Sequence, residues 1–360
     1  MALEGTGTLS EILVLDPPST RSSHRLRSSP SRLSDARYRG ENLWRASILI
    51  DVEILAYISK HVDNIFAHSS MSDAVLHIIS EKLCSKSQEL ASKSAGEAEW
   101  TGALHLVIDD LKQSGLGVVR NRDWREDLKP PVHQPQSRIP RERQQNASTH
   151  LSNPSESAFS LPIVPIFKLK DPRLDICVGL SDESLIEDLE TKKGHNIARR
   201  FLLGLQDTSS LISDPHVTPA GLHFPFLVIE TKSGATGGNL YQAQNQAAGS
   251  GSTALRIMQN TLELQDILGP DHRGHHEDQE DVEVGNQPER VPNLAFSITT
   301  EGPVHQLWFH FQSSSEDFCM SCVGSWRTTN KDGSMNLLRH LLAVLRWGNN
   351  EFRNSIIRAL

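Results

Sequence analysis

The chain has 360 residues, which is long enough to bury a substantial core in one large domain or two ordinary ones. Its formal net charge of −8 argues against a protein that coats nucleic acid unspecifically, because such proteins carry a surplus of Lys and Arg. Four scattered cysteines exclude a disulfide scaffold, and no apolar run reaches the roughly 18 residues of a membrane span. We therefore expect an intracellular protein, nuclear or cytoplasmic, that is neither secreted nor inserted in a membrane.

The N-terminal part divides into two sections by composition. Residues 1–41 are rich in Ser, Arg and Pro, and we predict a disordered tail there. Its arginines are compatible with a nuclear import signal or a phosphate-binding arm, although a solvated tail is the simpler interpretation. From 42 to 94 the apolar residues recur at helical spacing, which predicts a helical N-terminal section with Ser72 as the cap of its second helix.

Another helix is predicted in "GEAEWTGALHLVIDDLKQSG", at the beginning of a domain that we place at 95–360. Its apolar residues share one face: Trp100, Leu104, Val107, Ile108 and Leu111. Glu97 and Glu99 occupy its first turn, where the helix dipole alone favours acidic residues.

The rest of this domain has an α+β pattern. We interpret 122–160 as an exposed insertion and 271–290 as an acidic loop. Strands are predicted in "LPIVPIFKLK", "LDICVGL", "FPFLVIETK", "NLAFSITTEG", "VHQLWFHFQ" and "FCMSCVGSW", the first two joined by a turn at Asp171-Pro172-Arg173. Helices are predicted around 183–205, at 239–268 and from 335 onwards. The expected fold is a mixed central β-sheet of five or six strands flanked by helices.

One predicted strand ends in a carboxylate and an ammonium. Because side chains alternate along a strand, Glu230 and Lys232 point to one face. Asp175 begins another strand, and strand pairing could bring it next to Glu230. Two adjacent carboxylates repel each other unless a cation compensates, and Mg²⁺ is the natural cation for such a site. Taken alone, however, Glu-x-Lys is more typical of an exposed ion pair, so both interpretations stay open.

Five segments together resemble the fungal PD-(D/E)XK nuclease-like proteins, a branch of the restriction-endonuclease-like superfamily. They are "LDICVGL", "PFLVIETKSG", "GNLYQAQNQAA", "AFSITTEG" and "RWGNN". The resemblance covers about 95–360 without the insertion and the acidic loop. It implies a restriction-endonuclease-like α-β-β-β-α-β core. Leu174 stands where the family motif has proline.

The resemblance also implies roles for particular residues. Asp175 and Glu230 would hold Mg²⁺ or Mn²⁺, and Lys232 would assist the attacking water. Gln246 matches a glutamine that follows the Glu-x-Lys strand in several branches of the superfamily. A glutamate from the preceding helix often completes such sites, and here we prefer Glu97 to Glu99.

The expected function is metal-dependent hydrolysis of phosphodiester bonds, with nucleic acid as the partner and DNA preferred to RNA. The alternative is a catalytically silent domain of the same fold that binds nucleic acid or another protein. A homo-oligomer is compatible with either function.

Three further motifs have simpler interpretations than a functional site. "SGATGGN" at 233–239 lacks the ending of a nucleotide-binding loop and is interpreted as a flexible turn. Cys319 and Cys322 lack a second pair to complete a zinc site, so they are predicted to be core or edge cysteines. The remaining motif, interpreted as a solvated stretch, comprises His272, His275, His276 and Glu277.

Overall fold

The computed structural model describes residues 35–67, 73–134, 166–207, 211–268, 293–314 and 316–360. Several sequence predictions therefore concern segments outside the described residues. They are the tail over 1–34, the cap at Ser72, the insertion from 135 to 160, and the acidic loop with its histidines.

Seven strands form one mixed sheet in the described part of the chain, whereas five or six were predicted. The strands are β1 (Ile48–Ile50), β2 (Leu116–Asp123), β3 (Arg173–Ser181), β4 (Leu222–Lys232), β5 (Ala295–Glu301), β6 (Val304–Gln312) and β7 (Phe318–Arg327). Their order across the sheet is β1-β7-β6-β5-β4-β3-β2. The pairs β1/β7 and β4/β5 are parallel, and the other neighbours are antiparallel. The predicted mixed α+β architecture is thus confirmed.

Nine α-helices accompany this sheet in the described residues. They are α1 (Asp35–Arg37), α2 (Ala56–Ala67), α3 (Asp73–Ser92), α4 (Glu97–Leu111), α5 (Asp182–Lys193), α6 (His195–Asp207), α7 (Leu240–Leu268), α8 (Lys331–Trp347) and α9 (Arg353–Ala359). The single helix predicted at 183–205 is divided into α5 and α6, because Gly194 between them has a φ of 82° that no α-helix contains. None of these helices is both long and apolar enough to cross a membrane.

The predicted helical section 42–94 also contributes a strand to the sheet. Ile48 to Ile50 pair in parallel with the first residues of β7. Ser47 and Asp51, on either side of β1, have φ values of 54° and 59°, which end regular structure at both points. The prediction of an all-helical section was wrong here, because the strand depends on a partner about 270 residues away in the sequence.

Two segments predicted to be exposed are packed into the fold. In the part of the tail that is described, Tyr38 is buried and its hydroxyl accepts a hydrogen bond from the Lys170 N–H. In the first part of the insertion, Trp124 and Leu128 are buried. Single apolar residues within polar sequence carry no periodic signal, so their burial is not visible in the sequence.

The strand predicted in "LPIVPIFKLK" is absent from its described residues, 166–170, which have no regular structure. The outer neighbour of β3 is β2, which the sequence pattern did not reveal. The segment before β3 also contacts the residue that follows β2, because the Trp124 N–H donates a hydrogen bond to the Pro172 carbonyl.

One face of the sheet packs against α8, and α3 packs against α8 in turn. Phe296 of β5 makes an edge contact with Trp347 of α8. On the same face, the buried His305 ring bonds to Thr328, which also accepts a hydrogen bond from Ser87 of α3. Apolar packing and a buried polar chain therefore join these two helices to the sheet.

The opposite face packs against α7, whose first half consists largely of small residues. His310 of β6 bonds to Ser297 of β5, and its ring lies directly against Gly251 of α7. Glycine weakens a helix, but here it permits the close approach of helix to sheet. This is also the face on which Glu230 lies, because Ser250 of α7 lies beside its carboxylate.

Candidate active site

Strands β3 and β4 bring two carboxylates together. The strands are antiparallel, with Ile176 opposite Ile229, and continuing this register by one residue places Asp175 opposite Glu230. Asp175 Oδ2 accepts a 2.7 Å hydrogen bond from the Thr231 N–H. The carboxylate of Asp175 is therefore held against the end of β4, beside Glu230.

The ammonium of Lys232 lies at the same end of β4. Its Nζ donates to the Thr231 carbonyl at 2.8 Å and lies 3.7 Å from Glu97 Oε2 at the beginning of α4. Glu99 instead accepts a 2.8 Å hydrogen bond from the Gly96 N–H, as a residue that caps the helix. Of the two acidic residues in this turn, it is Glu97 that reaches the site.

The glycine-rich turn after β4 packs against this ion pair. A Cβ at Gly238 would lie 2.9 Å from Glu97 Oε1 and 3.1 Å from Lys232, so a larger residue would displace one of them. The Ser233 hydroxyl donates to the Ala95 carbonyl at 2.7 Å, which ties the turn to the beginning of α4. The turn therefore shapes the site.

Glu230 and Gln246 line one small cavity of about 40 Å³ between β4 and α7. Glu230 is only 2% exposed. Gln246 Oε1 is buried and has no hydrogen-bond partner among the described residues. Ser250, one helical turn further along α7, also lines the cavity. The cavity thus contains a buried acid and an unpaired acceptor, and it has room for a water molecule or an ion.

Burial and mutual repulsion control the ionisation of the two acids. Burial raises the pKa of Glu230 well above its usual range, Asp175 raises it further, and Lys232 lowers it. Burial also raises the pKa of Asp175, while the Thr231 N–H and Lys232 lower it. One added cation beside them would favour the ionised form of both groups.

Glu230 should make the stability of the protein depend on pH. Its pKa in the folded state is raised above the ordinary 4.5, so between these two values the unfolded chain loses a proton that the folded chain keeps. The contribution of Glu230 to stability should therefore be fully present below about pH 4.5 and be lost as pH rises, by at most about 1.4 kcal/mol per pH unit. With EDTA present, Glu230→Gln should remove the part of the pH dependence that belongs to Glu230 and be more stable than wild type at neutral pH.

Urea unfolding at several pH values would measure this effect. Glu187→Gln, which replaces an exposed glutamate on α5, provides the matched control and should follow the wild-type curve. If Glu230→Gln and wild type lose stability in parallel as pH rises, Glu230 does not retain its proton on folding.

The oxygen atoms of this site suit a hard divalent cation. Mg²⁺ is commonly held by one or two carboxylates and keeps several waters, and Asp175 and Glu230 supply two neighbouring carboxylates. Among the described residues no three His, Cys, Asp or Glu side chains lie close enough to hold a metal ion by themselves. Any metal here would therefore depend on two carboxylates together with water or substrate oxygens.

Ser250, Tyr38 and Lys170 line the cavity but were not predicted as residues of this site. The sequence does contain a signal for Ser250, because it lies four residues after Gln246 and both therefore share one face of the helix. Tyr38 and Lys170 have no such signal. Tyr38 falls in the predicted tail, and Lys170 falls in a predicted strand whose described residues, 166–170, have no regular structure.

The two cysteines of β7 were predicted to be core or edge cysteines, and their burial agrees with this. Cys319 is buried, Cys322 is exposed, and both are free thiols.

A family described as a domain of unknown function, DUF7924, matches residues 126–360. The chain belongs to this family. No curated protein and no solved structure matches the chain. The DUF7924 region contains Asp175, Glu230, Lys232 and Gln246, whereas Glu97 precedes it.

Proposed function

We propose that the protein is a metal-dependent nuclease with a restriction-endonuclease-like core and a PD-(D/E)XK-type site. The observation that carries this proposal is the placement of two carboxylates, Asp175 and Glu230, beside the Lys232 ammonium at the ends of paired strands. A purely structural ion pair has no need of a second, buried carboxylate, whose burial destabilises the fold.

Each residue then has a chemical role. Asp175 and Glu230 would hold Mg²⁺ or Mn²⁺, which when bound supplies a Lewis acid for the phosphoryl oxygens and a more acidic water. Lys232 would orient the attacking water or stabilise negative charge on the phosphate. Glu97 positions the Lys232 ammonium, and the buried Gln246 oxygen is available to accept a hydrogen bond from water.

Cations on the edge strand β2 and in the segment before β3 support a nucleic-acid substrate. Arg120 and Arg122 lie on the edge strand β2, and Lys168 and Lys170 precede β3. None of the four forms an ion pair with a carboxylate among the described residues, and Lys170 lies over the Tyr38 ring. Phosphate backbones are bound through such groups. The overall charge is negative, so these cations would be the groups that direct the substrate to the site. We take DNA before RNA as the substrate. We place the protein inside the cell, in the nucleus or the cytoplasm.

A substrate panel tests this function directly. The purified full chain is incubated with labelled single- and double-stranded DNA and RNA, with Mg²⁺, Mn²⁺ or EDTA. Cleavage that requires the metal supports the proposal. No cleavage of any substrate, together with no calorimetric binding of Mn²⁺, contradicts it.

The double variant Arg120→Ala/Arg122→Ala should weaken binding of nucleic acid. Loss of two phosphate contacts should reduce the slope of log K against log salt by about two, with little dependence on base sequence. Fluorescence anisotropy at several salt concentrations measures both the affinity and the slope.

The matched control removes two exposed arginines from the helices α8 and α9, as Arg339→Ala/Arg358→Ala. It changes the net charge as much as Arg120→Ala/Arg122→Ala does and should leave the slope of log K against log salt nearly unchanged. Equal slopes for the two double variants would show that β2 does not contact the phosphates.

A catalytically silent domain is the second candidate, and one observation favours it. The Lys232 ammonium already bonds to the Thr231 carbonyl and lies near Glu97, an arrangement that also suits a structural lysine. This candidate predicts binding that depends on Arg120 and Arg122 without cleavage under any metal condition.

A further inference from the structure

Arg39 joins the N-terminal segment to the helix that carries Gln246. Its Nε donates to Asn245 Oδ1 and its Nη2 donates to Gln244 Oε1, both at 2.8 Å. The guanidinium carbon lies 3.5 Å from the centre of the Tyr241 ring. Arg39 thus contacts three residues in the first two turns of α7, about 200 residues further along the chain.

These contacts orient α7 where it faces the cavity. Gln244 Nε2 donates to Gln306 Oε1 of β6, and Asn245 Nδ2 donates to the Asp35 carbonyl. Both side chains are therefore held between Arg39 and a second partner. The next residue, Gln246, lines the cavity that contains Glu230, and its Oε1 is buried without a hydrogen-bond partner among the described residues.

Tyr38, the neighbour of Arg39, forms another wall of the same cavity. Its hydroxyl accepts the Lys170 N–H, and Lys170 also lines the cavity. Residues 38 and 39 therefore connect the two sides of the cavity, α7 on one side and the segment before β3 on the other.

We propose that Arg39 is a positioning residue that fixes Gln246 relative to Glu230, so that the functional unit includes the N-terminal segment ahead of the DUF7924 region. This inference rests on the proposed nuclease function for its catalytic consequence. Lysine cannot replace Arg39 fully, because the planar guanidinium bonds two acceptors at once while it stacks on Tyr241.

Arg39→Ala should lower kcat by about 10²-fold while KM changes little, because displacing a functional group by about 1 Å typically has an effect of this size. Arg39→Lys should recover part of kcat. The control is Arg45→Ala, which removes another arginine of this N-terminal region that stacks on Phe167 and bonds to the His133 carbonyl. Arg45→Ala should keep the wild-type kcat. Thermal unfolding of each variant reports whether the fold is retained.

A second readout does not need nuclease activity. The Gln246 side-chain amide is observed by NMR in protein labelled with ¹⁵N-glutamine and assigned from the signal that disappears in Gln246→Glu. Arg39→Ala should shift this signal and speed its hydrogen exchange, whereas Arg45→Ala should leave it unchanged.

The two readouts separate the failure of the positioning role from the failure of the nuclease. An unchanged Gln246 signal in Arg39→Ala, or an equal shift in Arg45→Ala, overturns the positioning role. If wild type cleaves nothing while the Gln246 signal responds selectively to Arg39, the nuclease proposal fails and the positioning of Gln246 by Arg39 stands. If wild type is active and Arg39→Ala retains full kcat, the catalytic part of the inference is wrong.

Discussion

Replacing Lys232 with alanine is expected to reduce metal-dependent cleavage by about 10²- to 10³-fold, the usual effect of removing a group that stabilises charge in the transition state. The Lys232 ammonium is largely buried beside two carboxylates, with its side chain 13% exposed. A cation in that place can compensate negative charge on a phosphate more strongly than a surface lysine can. The loss should appear in kcat, with KM nearly unchanged.

Asp175→Asn should reduce cleavage at least as strongly, because it removes one of the two carboxylates that would hold the metal. The asparagine oxygen can still accept the hydrogen bond that Asp175 receives from the Thr231 N–H, so the fold should be retained. The double variant Asp175→Asn/Lys232→Ala should be little worse than the worse single variant, because groups that act as one unit are not additive. Mn²⁺ affinity by calorimetry should fall for Asp175→Asn.

Lys331→Ala provides the control for these variants, since it removes an exposed lysine that pairs with Glu81 on the surface. Wild-type cleavage is expected from it. Cleavage that survives both Asp175→Asn and Lys232→Ala would show that the activity belongs to another site or to a contaminant.

Gly251→Ala is expected to destabilise the protein by about 1–3 kcal/mol, the range found when a packed core receives an extra methyl group. A Cβ at this position would overlap the ring of His310, which is itself buried between β6 and α7 and bonded to Ser297. The ring is buried and moving it would break its bond to Ser297, so we expect the helix to shift from the sheet. Valine at the same position should destabilise further.

Gly249→Ala offers a matched control two residues earlier in α7. Nothing lies within 4 Å of a Cβ at this position. Alanine there should stabilise the helix by roughly 0.5–1 kcal/mol, because it reduces the freedom of the unfolded chain. Urea unfolding of both variants measures the difference, and equal effects would contradict the close approach of α7 to His310.

Periodicity was sufficient to identify much of the fold. The strands β4 to β7, the long helix α7 and the buried face of α4 are all present where the pattern predicts them. The shared face of Glu230 and Lys232 also follows from alternation along one strand. These features depend only on neighbours within a few residues, which is the range that a sequence pattern reports.

Tertiary structure alone decided how these elements complete the site. The pairing of β3 with β4 brings Asp175 to Glu230, and the register of α4 selects Glu97 and leaves Glu99 as a cap. The burial of Tyr38 and the contacts of Arg39 depend on residues more than 100 positions away. By itself, the sequence thus determined which chemical groups end β4, because strand periodicity is local. Only folding decided what surrounds them, because strand pairing and the burial of isolated residues depend on partners distant in the chain.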